Sequence, residues 1–466
     1  MKIEEIINNT SLTAEQKITM LMEKTVIVPT WSGKDGLEEQ YNPTMHPVMN
    51  KNTYPDIVSS DGLKRVTRIP LPFQKLAAKR MTELVTGIPV KRVYKPNNDR
   101  QKEVAAFIES IYDRCRIDSV NIDRFNRLYS GCEIMTLWYA VEQPMAHTLY
   151  NGVRSFVKLR CRTFSPMLGD SLFPLFDEYG DMIAMSIAYE RLVSGKRVKF
   201  FDCYSADRHV KWSNSEGGWS EVENEPITLG KIPAIYACRE KPIWEDTSNL
   251  VYEMEWSLSR NGNYLRENSK PLFAVFADEQ ISYGDEKSPD KEFLSVLQYP
   301  KGSSAGYITW PQSVDCLKYQ VSELRNLYFT SLQLPDWSYE KMSQTAMSGE
   351  SRKQLFIDAQ LKVKDEKGTL IEFLDRETNI VKAYAKIILG DSYASDIDAL
   401  PVEQVITPFS ITDEKDDINN LMLANGNKPL MSQRESIERY GKSDDVDKTL
   451  EEIRQEGTID AFNLAE

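Results

Sequence analysis

Four aspartates, Asp170, Asp177, Asp202 and Asp207, fall in one β-patterned stretch of the sequence. Carboxylates at strand ends are what a two-metal nuclease or phosphoryl-transfer enzyme would use to clamp the attacking and leaving oxygens. Such acids are far more often turn formers and solvated charges. The rest of the chemistry-bearing set is thin. His46, His147 and His209 are widely separated, with no second histidine at ligand spacing, so neither a metal site nor an imidazole base is expected. Cys115, Cys132, Cys161, Cys203, Cys238 and Cys316 occur singly with no CxxC, and read as reduced core thiols of a cytosolic product. No GxxxxGK[ST], GxSxG, HExxH or DxDxDG run is present. Enzyme readings lose most of their support, and no cofactor is expected.

Length and charge narrow the class further. A chain of 466 residues with 41% hydrophobic and 27% charged residues can bury at least one full core and divides naturally into two or three units. No run of eighteen apolar residues exists, and the acidic, polar N-terminus is unlike a signal peptide, so no membrane association is expected. The net charge of −13 argues against a generic nucleic-acid coat. Its distribution is uneven. Residues 62–102 carry eleven Lys/Arg against Glu83 and Asp99, whereas the stretch from Ile411 onward carries fourteen acids and seven bases. The first could meet an acidic partner; the plainer reading is a pair of solvated faces.

The elements that must position any site are organised around residues 314–390. Leu317, Val321, Leu324, Leu327, Tyr328 and Leu332 put one apolar stripe on a helix of about five turns. Leu334-Pro335-Asp336 stops it. A loop-like passage, 337–349, leads to a second, very long helical pattern from Glu350 to Gly390, in which Gly368 invites a kink. Upstream, residues 1–60 read as an arm: a short helix near Thr13 to Glu23, then extended chain too rich in aromatic residues to be a free linker, packed on its own body or on a neighbouring subunit.

Helical patterns follow at 72–86, 103–115 and 118–129, the last with Ile122, Phe125 and Leu128 inward and broken by Gly131. From Cys132 to Cys238 the pattern turns to antiparallel β, including an aromatic hairpin around Trp212 and Trp219. A helix over 248–268 is the expected mate of 314–334. Between them, strand candidates at 271–277 and 306–310 flank a charged loop, a projection of the kind that serves contacts. Beyond Gly390, VEQVITPFSI reads as a strand, Asp413 can cap a short helix through Leu423, and Ser432 with Glu435 forms a capping box ahead of an acidic, helical tail.

Several stretches, in this order, resemble the portal proteins of tailed bacteriophages, the head-to-tail connectors of the long-tailed type. KLAAKRMTELVTGIPV at 75–90 is similar to an early helix closed by a Gly-x-Pro-Val turn. Gly131-Cys132-Glu133 resembles the family's strand entry, and GKIPAIYA its Gly-x-Ile-Pro strand. LQLPDWSYEKMSQTAMSGESRKQLF at 332–356 resembles Pro-Asp-x-Ser, a variable loop, Ser-Gly and a long helix. MSQRESIERYGKSDDVDKTLEEIRQE at 431–456 resembles the C-terminal acid-rich segment, with Ser436 where the family has threonine.

The resemblance implies an α+β portal fold: arm 1–60, wing 61–247, stem helices 248–268 and 314–334, clip 269–313, tunnel loop 335–348, a long helix with the second part of the wing at 349–411, and a crown over 412–466. It implies a homo-oligomeric ring, normally of twelve subunits, at one capsid vertex of the virion, with double-stranded DNA passing through a central channel without sequence preference. Lys341, Met342, Ser343, Gln344 and Ser348 of the tunnel loop would touch DNA. Asp278, Glu279, Asp285, Glu286, Lys287 and Lys291 of the clip would dock the terminase large subunit and later the head-tail adaptor protein, while major capsid and scaffold proteins surround the ring. Two other readings stand beside it: a metal-dependent nuclease built on the four aspartates, and a monomeric minor head or adaptor protein docking through the projection.

Overall fold

The computed structural model describes residues 3–59, 62–215, 217–268, 272–276, 304–308, 314–336, 357–409, 422–423, 432–440 and 446–463. Two units are distinguished, Met1–Asp336 with Asp358–Phe409, and Trp337–Ile357 with Ser410–Glu466.

The arm packs on the protein's own body. Short helices α1 (Ile3–Asn8) and α2 (Ala14–Leu21) carry apolar residues at helical spacing, and a reciprocal capping box at Thr13 and Gln16 starts the second. Ile3, Ile6, Ile7, Ile18 and Leu21 are buried against Ala184, Phe201, Cys203, Val210 and Trp212. At about 1.5–3 kcal/mol for each fully buried aliphatic side chain, this face holds the arm in place. Lys24 then pairs with the buried Glu133, whose carboxyl is pushed up by burial against the pull of Lys24 and Tyr236. The chain continues through α3 (Leu37–Tyr41) and a small hairpin, β1 (Ile57–Ser59) with β2 (Gly62–Lys64).

A helical layer follows: α4 (Phe73–Thr86), strand β3 (Lys91–Tyr94), α5 (Asp99–Cys115) and α6 (Ile117–Gly131). Met81, Leu84, Val104, Phe107, Ile108, Ile111, Tyr112, Phe125 and Leu128 are buried as the spacing demands, but Ile122 faces solvent. Gly131 does not break α6 either. It is the last helical residue, and Cys132 takes the left-handed conformation with φ 59°. A Cβ at 131 would lie 2.8 Å from Met167 Cγ, so any larger residue there needs that flexible side chain to shift.

The β region divides into two sheets. β4 (Glu133–Tyr150), β5 (Val153–Phe164) and β11 (Ala234–Cys238) form one, ordered β11-β4-β5. β6 (Ser171–Phe176), β7 (Met182–Val193), β8 (Lys196–Tyr204), β9 (Arg208–Ser213) and β10 (Ser220–Pro226) form an antiparallel meander. The meander is covered on both faces, by the arm over Ala184, Phe201 and Cys203 and by the first sheet on the other side, where Met135, Leu137, Phe164, Leu172, Met185, Ile187 and Tyr236 close the seam.

Helix α7 (Ser248–Asn268), the pair β12 (Leu272–Phe276) and β13 (Ser304–Ile308), and helix α8 (Val314–Leu332) come next, with the two helices side by side. Helix α9 (Ile357–Leu389) runs for 33 residues and stays hydrogen-bonded through Gly368, whose missing side chain faces open space. After α10 (Ala394–Ala399), β14 is limited to Val402–Val405, because its partner β3 is equally short and Pro401 and Pro408 bracket it. In the second unit, α11 (Gln433–Tyr440) begins at the expected box, with the Ser432 amide donating to Glu435 at 2.9 Å and the Glu435 amide to the Ser432 hydroxyl at 3.2 Å. Helix α12 (Val446–Asn463) follows, and the helix expected from Asp413 lies outside the described residues apart from 422–423.

α9 is the member to which the layers attach. The Glu377 carboxylate accepts a bidentate pair from Arg124 of α6, both at 2.7 Å, and a third bond from Trp138 Nε1 of β4 at 2.9 Å. Arg124, Glu377 and Trp138 are all buried, and Phe373 lies 4.7 Å beneath the guanidinium. Around them Thr378 binds Tyr112 and Gln404, and Tyr384 donates to the Trp138 carbonyl. Replacing Arg124 by Met strands the carboxylate in the core and should cost about 3–5 kcal/mol. Replacing Arg124 and Glu377 together by Met and Leu should recover most of that, measured as denaturant midpoints; equal loss in both variants would show that packing, not charge, holds the node.

Candidate functional site: the helix pair and the root of the loop

The residues expected to touch DNA, Lys341, Met342, Ser343, Gln344 and Ser348, lie outside the described residues. So do the expected partner-binding residues Asp278, Glu279, Asp285, Glu286, Lys287 and Lys291. What the fold does describe is the pair of helices between which one segment lies, and the two feet of the other.

The base of α7 is held by a strip of extended chain. Leu71, Ile69 and Thr67 donate their amides to Glu255 (2.6 Å), Ser259 (2.9 Å) and Asn263 (2.5 Å). The acceptors recur every fourth residue on one face of the helix, and the donors every second residue along a strand running the other way. Two extended residues advance about 6.6 Å and four helical residues about 6.0 Å, so the two repeats stay in step over three contacts. Gly262 makes the approach possible, since a Cβ there would sit 2.8 Å from Thr67 Cγ2. The prolines at 70 and 72 suit a strand whose alternate amides have no ladder to join. Glu255 also binds the buried His46, Nδ1 to Oε1 at 2.6 Å, while His46 Nε2 meets the Gln40 carbonyl at 2.7 Å. The arm is thereby tied to the same helix.

The base of α8 packs through Tyr328 and Phe329 on Phe73, and the Tyr328 hydroxyl donates to the Phe73 carbonyl at 2.6 Å. Helix α8 ends before the proline of the Leu-Pro-Asp sequence. Gln333 turns left-handed with φ 54°, its amide bonds the Thr330 carbonyl, and the Leu334 amide bonds that of Phe329. This is a Schellman closure, with Leu334 and Phe329 buried as its apolar contact. One more orphan carbonyl, Leu332, is taken by Lys362 of α9, whose ammonium pKa is lowered by burial. Arg325 pairs with Asp336 at 2.9 Å. Arg239, at the end of β11, grips Glu366 of α9 with both terminal nitrogens and lies over Tyr129. The last residues before 337 and the first turns after 357 are therefore fixed to the body.

Further out, the pair is only partly covered. Leu317, Val321 and Leu324 are half-buried, Leu265 and Tyr319 are 48% and 72% exposed, and even at the base, where Tyr328 and Leu332 are buried, the adjoining Leu327 is 45% exposed. The apolar stripe read from the sequence is thus sealed only in part at its base and open over the remainder.

The four aspartates do not converge. Asp170 accepts from the Ser165 amide; Asp177 accepts from Tyr179 and Asp181 in a turn; Asp202 is buried under Tyr189 and Tyr204; the Asp207 carbonyl takes the Ile227 amide. Among the described residues no three His, Cys, Asp or Glu side chains gather as metal ligands, and no helix is long and apolar enough to cross a membrane. All six cysteines are free. Cys132 and Cys203 are core thiols, with pKa values pushed by burial up to about 12 and about 11, but Cys316 is exposed on α8 and departs from the expectation.

A model of the family described as phage portal protein, SPP1 Gp6-like, matches residues 35–460. The chain belongs to this family. Its coarse role is accordingly that of a portal, a structural component of the phage particle. No curated protein matches. Among solved structures, one described as the neck of an empty GTA particle computed with C6 symmetry shares 10% identity over 88% of this chain and 94% of that chain, with a TM-score of 0.40. Another, a virion of a native gene transfer agent particle, shares 9% identity over 90% of this chain and 96% of that one, with a TM-score of 0.36.

In this portal-family chain the basic stretch 62–102 meets carboxylates of its own fold, Arg68 and Arg92 in largely buried positions and Lys79, Lys95, Arg100 and Lys102 in exposed surface pairs. Arg68 pairs with Asp56, Lys79 and Arg80 with Glu83, Arg92 with Glu109, Lys95 with Glu403, Arg100 with Asp396 and Lys102 with Asp99. Burial would raise the Glu109 carboxyl, but hydrogen bonds from Arg92 and Tyr94 outweigh it and hold the pKa below its usual value.

Removal of the middle acceptor on α7, by Ser259→Ala, leaves the Ile69 amide without its partner beside a buried position. The expected loss is about 1–3 kcal/mol, with faster amide exchange at Ile69 than at Leu71. Unchanged exchange at Ile69 would mean that the strand is held by its flanks alone.

Proposed function

We propose that copies of this chain close head to tail into a ring, normally of twelve, whose central channel carries double-stranded DNA into the capsid and out again. The observation that carries the reading is the open remainder of the helix pair. Leu265, Tyr319 and Leu327 leave apolar surface on two adjoining helices, and a cyclic array of identical chains covers such surface on every copy at once. The feet fixed by Lys362, Arg239 and Arg325 then hold the intervening loop at the channel wall, where Lys341, Met342, Ser343, Gln344 and Ser348 would make weak contacts to passing phosphates.

The projecting segment, with Asp278, Glu279, Asp285, Glu286, Lys287 and Lys291, would dock the terminase large subunit during filling and the head-tail adaptor afterwards. Its mixed charges suit contacts that must be exchanged. Major capsid and scaffold proteins would surround the wing. The acidic total fits a conduit, because a densely basic lining would retain phosphates instead of letting them slide.

The mass of the purified protein tests closure. Twelve copies of the 53.5 kDa chain give about 640 kDa, and a particle of that size with a central hole is the expected result. A compact monomer at high concentration, with Leu265, Tyr319 and Leu327 protected by its own segments, would favour the adaptor reading.

Lys341→Ala tests the loop. Rings should still assemble while DNA packaged per particle falls. Failure of the ring to form would place Lys341 at a subunit contact instead of in the channel.

A further inference from the structure

Cys115 ends helix α5, and Cys161 lies in the middle of strand β5. The packing of α5 on β5 brings them together. The Cys115 thiol donates to the Leu159 carbonyl at 3.5 Å. Leu159 and Cys161 are two residues apart on the strand and therefore face the same way. The Cys115 thiol therefore lies on the side of the strand that carries the Cys161 side chain, and each thiol is the largest influence on the other's ionisation. Both are half-buried, and neither is bonded to another cysteine. Of the other thiols, Cys132 and Cys203 are buried, Cys316 is exposed on another helix, and Cys238, also half-buried, ends strand β11 in the same sheet. No catalytic or channel role uses this pair.

We infer that Cys115 and Cys161 form a reversible redox couple, closing to an intrachain disulfide when the protein meets a low-molecular-weight disulfide such as oxidised glutathione. The reaction balances by exchange. The Cys115 thiolate attacks one sulfur of oxidised glutathione, whose S–S bond breaks to release one glutathione thiolate. Cys161, deprotonated in turn, attacks the Cys115 sulfur of the mixed disulfide and expels the second glutathione. Two protein thiols are oxidised, one glutathione disulfide is reduced to two glutathione molecules, and the two protons end on them.

Cys115 is the attacking partner. The hydrogen bond from Cys161 holds its pKa below the usual thiol value against the opposing effect of burial, and Arg160 and Lys158 add favourable charge. Closure would fasten the end of α5 to β5, a cross-link absent in a reducing cytosol and available to a particle released from it. Because the bond closes a long loop of chain, it also withdraws conformational freedom from the unfolded state.

The test treats the full-length protein with oxidised glutathione, alkylates free thiols, and maps peptides without reduction. The expected result is one cross-linked pair containing Cys115 and Cys161, about 2 Da lighter than the reduced peptides together. A rise of several degrees in melting temperature, reversed by dithiothreitol, should accompany it. In Cys161→Ser the reaction should stop at the mixed disulfide, with Cys115 heavier by about 305 Da. Recovery of both cysteines as alkylated thiols, or as two separate glutathione adducts in the unsubstituted protein, would overturn the inference. Those wild-type outcomes decide it even if the Ser variant folds poorly.

Discussion

The ion pair between Arg124 and Glu377 is the constraint on which the arrangement of layers depends. Two charges removed from water are expensive, and their mutual attraction compensates only when the remaining donors and acceptors are also satisfied. Here the guanidinium fork meets both carboxylate oxygens and the Trp138 indole adds a third donor, so one rotation of α9 about its axis fits and others leave a buried charge bare. The same face of α9 then carries its other polar anchors. Glu366 lies eleven residues before Glu377, about three helical turns, and receives Arg239; Lys362 lies one turn earlier and caps α8. Fixing the rotation at Glu377 therefore aims the start of α9 at the end of α8.

Helix α7 is positioned by a different device. A strand and a helix do not share a hydrogen-bonding repeat in general, yet two extended residues and four helical ones advance by nearly equal distances. Glu255, Ser259 and Asn263 exploit that near-coincidence to satisfy three main-chain amides beside a helix, where no sheet ladder is available. The mismatch of about 0.6 Å per repeat accumulates, which limits such a strip to a few contacts. After Leu71 the chain leaves the helix and turns through Pro72 into α4. His46 brings the arm to the same carboxylate, so arm, strip and helix share one buried junction.

Most elements were legible because their signals are local. Stripes such as Val104, Phe107, Ile108 and Ile111, the capping boxes at Thr13 and Ser432, and the turn between Trp212 and Trp219 each need only a few neighbouring residues to be read. What escaped depended on distant partners. Gly131 reads as a helix breaker until Met167 is seen against it, and Ile122 continues a stripe whose edge it merely marks. Glu377 is one acid among many in the sequence. The available signal was its place in an apolar row with Leu370 and Phe373, where a carboxylate requires a buried cation. Glu255, Ser259 and Asn263 likewise form a visible polar row at four-residue spacing, but the amides they serve lie almost two hundred residues earlier. The expected loop and projection residues carry local charge and little periodicity, so sequence could nominate them by order alone.

Charge placement bears on the proposed conduit in the same long-range way. Eleven cations in residues 62–102 read as a patch when only the sequence is counted. In the fold Arg92, Arg68 and Arg80 turn to carboxylates within hydrogen-bond distance, and Lys95 and Arg100 reach residues some three hundred positions away. A cation paired in a buried position, as Arg68 and Arg92 are, offers a phosphate little, because releasing it strands the carboxylate it neutralised, whereas the exposed Lys95 and Arg100 are held only weakly. Each cation bound to DNA releases counterions and steepens the dependence on salt. A channel that grips at many such points holds its cargo, and one with few lets it pass. An acidic chain that withdraws Arg68 and Arg92 into pairs within its fold therefore offers fewer free cations than its local composition suggests, which suits the proposed conduit.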